Sequence, residues 1–162
     1  VGVIATEATV RSDAYPRALR RLRPDLQIAS RACPLFVPLV EEGWHDDPVT
    51  EQVASRYLAP LLAGGIDTLV LGCTHYPLLA PVLSRVAGPG VRLVDSAEAV
   101  AEAVAKGLAE RGLAHRAGDG SLGDGEPADL RVCVTDAGEG FRTLARRILG
   151  APELCLEWVE IV

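Results

Sequence analysis

Ile66-Asp67-Thr68-Leu69-Val70-Leu71-Gly72-Cys73-Thr74-His75-Tyr76-Pro77-Leu78-Leu79 changes character halfway along. Its first half is a short apolar run after Gly64-Gly65, and it reads as a strand buried on both faces. Its second half turns at Gly72 and enters a helix, with Pro77 suited to a first turn where its missing N–H is not needed. Cys73, Thr74 and His75 therefore stand where a buried strand hands over to a helix. In open α/β sheets ligands bind at that end, and helix starts favour anions such as a carboxylate or a thiolate. An imidazole two residues from the sulfur can take or return its proton. The same spacing also suits an inert buried cysteine. A metal site would call for a second Cys/His pair at ligand spacing, and none follows. A Cys-His hydrolase would draw nucleophile and base from separate parts of the chain.

Outward from this stretch, strands alternate with helices, which predicts an α/β fold with a parallel sheet flanked by helices. Toward the N-terminus, residues 1–5 predict a strand ended by Thr6, and residues 12–22 a helix with Tyr15, Ala18, Leu19 and Leu22 on one face. Arg17, Arg20, Arg21 and Arg23 fill its other positions as a solvated face. A short strand is expected over 26–30. Pro34 and Pro38 predict an apolar loop or broken helix over 33–42. Glu41 and Glu42 close it, two adjacent carboxylates that need water or a partner. Asp47-Pro48 is an N-cap and first-turn pair, and the helix it opens carries Val49, Val53, Leu58, Leu61 and Leu62.

Toward the C-terminus a strand over 91–94 leads into Asp95-Ser96-Ala97-Glu98, a capping-box pattern, and a helix to 111 with Val100, Val104 and Leu108 in line. Residues 117–128 lack apolar periodicity and are expected to form a mobile loop. A strand over 130–135 holds Cys133. Phe141, Leu144, Ala145, Ile148 and Leu149 form a helical stripe, and residues 154–162 close as a strand with Cys155 and Trp158. Gly138-Glu139-Gly140 is too short and too acidic to read as a phosphate loop.

The chain has 162 residues, 49% of them hydrophobic, enough for a sizeable core, and a net charge of −6 that disfavours nucleic acid and anionic membranes as partners. No apolar run approaches the roughly 18 residues of a membrane span, and no signal peptide opens the chain. Four cysteines in this length make no disulfide framework, so a reducing cytoplasm is expected. The absence of methionine and the start inside a strand pattern lead us to expect a piece of a longer polypeptide.

Leu71-Gly72-Cys73-Thr74-His75-Tyr76-Pro77-Leu78 resembles the C-terminal cysteine signature of the glutamate racemase family over eight consecutive residues. Gly2-Val3-Ile4-Ala5-Thr6-Glu7-Ala8-Thr9 resembles the strand and Thr-bearing loop that open that family's second domain, and Ala32-Cys33-Pro34-Leu35-Phe36-Val37-Pro38-Leu39-Val40-Glu41 a further block. The three fall in the family's order and the resemblance spans nearly the whole chain.

The resemblance implies two similar α/β domains with the active site between them, each lending one cysteine. It implies cofactor-independent interconversion of L- and D-glutamate, without pyridoxal phosphate or metal, supplying D-glutamate for peptidoglycan. Carried over residue by residue, Cys73 matches the acid/base that serves L-glutamate, His75 the histidine assisting it and Glu41 the carboxylate orienting that histidine. Thr74 matches a substrate-binding position, and Thr9 a threonine lining the pocket. Residues 1–95 would then be the second domain, and 96–162 a return segment that completes the first. A homodimer is expected, since family members often pair. The family's other cysteine, in a Cys-Asn-Thr motif, and its N-terminal Asp-Ser pair are not in this sequence. The chain alone is therefore expected to be unable to racemise. Aspartate racemisation fits less well because that pattern departs at His75, and a non-catalytic module binding a carboxylate or a protein is the alternative from another class.

Overall fold

The computed structural model of the chain describes residues 1–114, 132–136, 138–150 and 154–160. They form two compact units, Val1–Glu102 and Ala103–Val162. The first is an α/β layer of four parallel strands, β1 (Gly2–Ala5), β2 (Ala29–Ala32), β3 (Thr68–Gly72) and β4 (Arg92–Val94), in the order β2-β1-β3-β4. The expected α/β class and parallel sheet flanked by helices are both present. From β1 the chain crosses to β2 on one side, then returns to place β3 on the other, so the topological switch lies between β1 and β3.

Flanked by a strand on each side, β1 is buried along its whole length. In β3 only Leu69 and Leu71 are buried, while Thr68, Val70 and Gly72 are half-exposed. The expectation that β3 is covered on both faces is thus corrected: the doubly covered strand is β1, and β3 alternates because one of its faces is packed more deeply. Strand β2 begins three residues later than the apolar Leu26 and Ile28 suggested. It is an edge strand with little to bury, and pairing with β1 rather than hydrophobicity sets its limits.

Two helices, α1 (Glu7–Arg11) and α2 (Ala14–Leu22), follow β1 where one was expected. The Thr6 side chain caps α1, and Asp13, left-handed at φ 54°, makes the break between them. Thr9 therefore lies on a helix and not in a loop. On α2 the expected face is corrected as well, because Leu22 is 79% exposed and Pro16 is buried instead. A short regular helix, α3 (Phe36–Glu41), replaces the expected broken segment, since Pro38 falls in its first turn.

Helix α4 (Pro48–Ala63) starts as the sequence indicates, with the Asp47 side chain accepting from the Val49 N–H at 2.7 Å. It ends at Gly64, and Gly65 takes the positive φ of 70° that lets the chain leave for β3. Its buried face is Thr50, Ala54, Leu58 and Leu61. Val49 was expected on that face and is exposed. After β3 comes a 3₁₀ turn over Tyr76–Leu79, then α5 (Ala80–Ala87). The core between sheet and helices is built from Ile4, Leu58, Leu69, Leu79, Val82 and Leu83, with Phe36 edge-on to both Tyr57 and Tyr76 at 5.2 Å. Asp95 accepts from the Ala97 N–H at 2.8 Å and opens α6 (Ser96–Glu110), as its capping pattern predicts.

In the second unit β5 (Val132–Val134) pairs in parallel with β6 (Leu156–Trp158), the two joined through α7 (Glu139–Leu149). Val134, Ala145 and Leu154 are buried there. Cys155 precedes β6 instead of lying on it. The loop expected over 117–128 lies outside the described residues. No described helix is long and apolar enough to cross a membrane.

Candidate active site

Pairing in register brings three strand ends to one level. Ala5 is matched with Ala32 on β2 and with Gly72 on β3, so the next residues, Thr6, Cys33 and Cys73, leave the sheet side by side at its carboxyl edge. Thr6 and Cys73 flank the topological switch, the place where open α/β sheets bind ligands. Gly72 is what allows so close an approach. A Cβ built there would lie 3.0 Å from the Ile4 carbonyl oxygen, 3.1 Å from the Ala5 Cβ and 2.9 Å from the Tyr15 ring.

Cys73 is half-buried and its Sγ lies 3.9 Å from His75 Nδ1. The Thr74 hydroxyl is 3.5 Å from the same nitrogen. On the far side of the ring, His75 Nε2 is 3.3 Å from Glu41 Oε1, at the end of α3. Sulfur, imidazole and carboxylate thus stand in a line. A proton on Nε2, facing Glu41, leaves Nδ1 as an acceptor toward the thiol. Because His75 and Glu41 are 26% and 57% exposed, water screens their attraction, and the carboxylate orients the ring more than it stabilises the fold.

The line is braced from below by Tyr76. Its ring is fully buried against Phe36, and its hydroxyl donates to the Cys33 carbonyl at 2.9 Å. The loop bearing His75 is thereby tied to the segment that leads into α3 and Glu41. Sequence reasoning passed over Tyr76. It also passed over Thr6, whose hydroxyl lies 3.0 Å from that of Thr9 and accepts from the Thr9 N–H at 3.4 Å. A threonine directly before an acidic helix start was the available signal for Thr6.

Of the five residues singled out from the sequence, the structure brings Cys73, Thr74, His75 and Glu41 into contact, and Thr9 is linked to the same sheet edge through Thr6. Cys33, the first unit's other thiol, is fully buried, and burial pushes it up to about 12, only partly offset by the Arg31 charge. Such a group keeps its proton at neutral pH. All four cysteines are free. Among the described residues no three His, Cys, Asp or Glu side chains gather as a metal site.

Residues 1–104 match the family model described as Asp/Glu/Hydantoin racemase. The glutamate racemase of Syntrophus aciditrophicus is 51% identical over 161 residues, which are 99% of this chain and 57% of that protein. That of Neisseria meningitidis is 48% identical over 162 residues, 100% of this chain and 56% of the relative. Among solved structures, glutamate racemase from Francisella tularensis in complex with D-glutamate superposes with a TM-score of 0.83 at 31% identity, covering 98% of this chain and 57% of that one. The chain thus spans little more than half the length of the relatives it matches.

Proposed function

Because the chain belongs to the Asp/Glu/Hydantoin racemase family, we propose that it contributes one side of a cofactor-independent, two-base interconversion of L- and D-glutamate. The observation that carries this is the line from Cys73 through His75 to Glu41 at the carboxyl edge of the sheet. The glutamate racemases among its relatives, one of them solved in complex with D-glutamate, support glutamate as the substrate.

In this reading Cys73 Sγ works on one face of the α-carbon. As thiolate it takes the α-hydrogen as a proton, leaving the electron pair on carbon, and in the reverse direction the thiol returns it. His75 Nδ1 takes up the thiol proton beforehand, and Glu41 fixes the ring so that this nitrogen faces sulfur. Thr74 and Thr9 hold substrate oxygens, and donors at the strand-to-helix turn stabilise the charge that develops on the carboxylate. Inversion needs a second acid on the opposite face. The first unit's other thiol, Cys33, is buried and strongly protonated, so it is no candidate. We place the second domain at residues 1–95 and a return segment at 96–162. We also place the activity in the cytoplasm, in supply of D-glutamate for peptidoglycan synthesis and hence cell shape.

Two measurements on the purified chain test this. Alkylation of Cys73, followed by peptide mass, slows in the presence of glutamate and not in the presence of lysine. In heavy water, one glutamate enantiomer exchanges its α-hydrogen slowly without interconversion, and Cys73→Ser abolishes the exchange. A chain that neither protects Cys73 nor exchanges has no working site. One that interconverts the enantiomers at a full enzyme's rate refutes the one-sided reading.

A further inference from the structure

One nitrogen in the candidate site has two donors competing for it. Glu41 Oε1 faces His75 Nε2 at 3.3 Å, so the ring's proton stands on Nε2 and Nδ1 is left with a single lone pair. Two groups reach for that lone pair, Cys73 Sγ at 3.9 Å and the Thr74 hydroxyl at 3.5 Å. Neither side chain has another hydrogen-bond partner among the described residues. A hydroxyl donates more strongly than a thiol, and here it is also the nearer of the two. Both contacts are long, so one donor can release the ring and the other take it without movement of the backbone. Thr74 is exposed whereas Cys73 is half-buried, so a ligand arriving from solvent meets the hydroxyl first.

We propose that Thr74 holds His75 Nδ1 while the site is empty and gives it up to Cys73 when a substrate carboxylate arrives. The inference rests on the racemase reading, in which Thr74 binds a substrate oxygen, and adds to it a regulation of that same site. A carboxylate oxygen is charged, and a hydrogen bond to it is roughly twice as strong as one between neutral groups. The Thr74 O–H therefore swings from nitrogen to substrate. Nδ1 is then open to the thiol alone: the S–H bond breaks, an N–H bond forms, and the electron pair stays on sulfur as the thiolate that works on the α-carbon. Before that moment sulfur keeps its proton, which spares it from alkylation and oxidation in an unoccupied site. Thr74 is thus a positioning residue for the histidine as well as a substrate contact.

Alkylation of Cys73, followed by peptide mass across pH, tests this on the purified chain without any ligand. Thr74→Val keeps the shape and removes the donor, so near neutral pH its Cys73 should react roughly three- to tenfold faster than the parent's, the worth of one hydrogen bond. At about pH 10.5, where an ordinary thiol is ionised anyway, the difference should vanish, which a mere change in access would not do. Thr74→Ser should match the parent, and in a His75→Ala background Thr74→Val should change nothing. The ionisable groups that interact with the pair from neighbouring segments, Glu41 and the Tyr76 phenol, stay in place in all these variants. Adding glutamate should raise the thiolate ultraviolet absorbance of the parent, measured against Cys73→Ser. A Thr74→Val chain that alkylates like the parent, or more slowly, overturns the proposal, and so does glutamate that protects Cys73 without raising its thiolate absorbance. Failure of the racemase reading looks different: glutamate then has no effect on the parent, while faster alkylation of Thr74→Val still supports the competition for Nδ1.

Discussion

Gly72→Ala is a small substitution at the point where the sheet and the candidate site meet. The added methyl would stand 3.0 Å from the Ile4 carbonyl oxygen and 3.1 Å from the Ala5 Cβ, besides 2.9 Å from the Tyr15 ring. The ring edge is the far end of a side chain and can swing away. The other two cannot, because β1 is held between β2 and β3, and Ala5 is itself paired with both Ala32 and Gly72. Relief therefore means opening the β1–β3 ladder by a few tenths of an ångström at its carboxyl end. Overpacking of this kind costs about 1–3 kcal/mol, and in a unit of this size about 2 kcal/mol lowers Tm by roughly 10 °C. The displacement falls where Thr6 and Cys73 leave the sheet, so the glutamate-dependent protection of Cys73 should weaken along with stability. Gly107→Ala is the control, because nothing lies within 4 Å of a methyl at that helical position. It should raise stability by about 0.5–1 kcal/mol through helix propensity alone. Thermal melts by circular dichroism, paired with alkylation rates, decide the matter. If Gly72→Ala melts within a degree of the parent and still protects Cys73, the close approach of β1 and β3 is not what sets the site.

Cys33 predicts an alkaline limit to stability. Its thiol is raised from an ordinary 9.0 to about 12 by burial, so between these values the unfolded chain releases a proton that the folded chain keeps. The contribution is intact below about pH 9 and disappears as pH rises through about 12, by at most about 4 kcal/mol. Tyr76, also raised mainly by burial, acts in the same direction. Denaturant melts of Cys33→Ala against the parent isolate the thiol's share, and an identical pH slope in both refutes it. Tyr76→Phe should cost only about 1 kcal/mol, because the Cys33 carbonyl keeps its second donor, the Phe36 N–H at 3.2 Å. Its larger effect should be on Cys73 alkylation, through a looser His75–Glu41 pair. Tyr76→Ala, which empties the space beside Phe36, should cost about 3–5 kcal/mol. Equal losses for Phe and Ala would mean that the hydroxyl, not the ring, holds this corner.

Short-range chemistry was legible in the sequence. Asp47-Pro48 and Asp95 start helices in the structure as their caps indicate, Gly64-Gly65 ends α4, and the turn after Gly72 occurs where it was expected. What failed depended on neighbours distant in the chain. The limits of β2 follow its pairing with β1 and not its own apolar residues. The buried face of α4 includes Thr50, whose hydroxyl donates to the Trp44 carbonyl, in place of the more apolar Val49. Hydrophobicity ranks residues, whereas burial is decided by what stands opposite. Thr9 was misplaced for a simpler reason, that a helix of five residues has too little periodicity to read.

The Glu41–His75 pair shows the same division within the site. No spacing rule joins the two residues: Glu41 stood out as one of two adjacent carboxylates in need of a partner, and only a resemblance to known sequences linked it to the histidine. The contact exists because β2 and β3 pair with opposite sides of β1 in a common register, which sets Cys33 and Cys73 level and brings α3 up against the turn after β3. That register is held by the alternation along β3. A slip of one residue would turn Leu69 and Leu71 out of the core and bring Thr68, Val70 and Gly72 in. Burying two leucines is worth about 3–6 kcal/mol, far more than an exposed His–Glu pair contributes. Packing therefore fixes the register, and the register places the thiol, imidazole and carboxylate in line. Substitutions that spare those three groups but loosen the β1–β3 ladder should then disable the site as surely as replacing one of them.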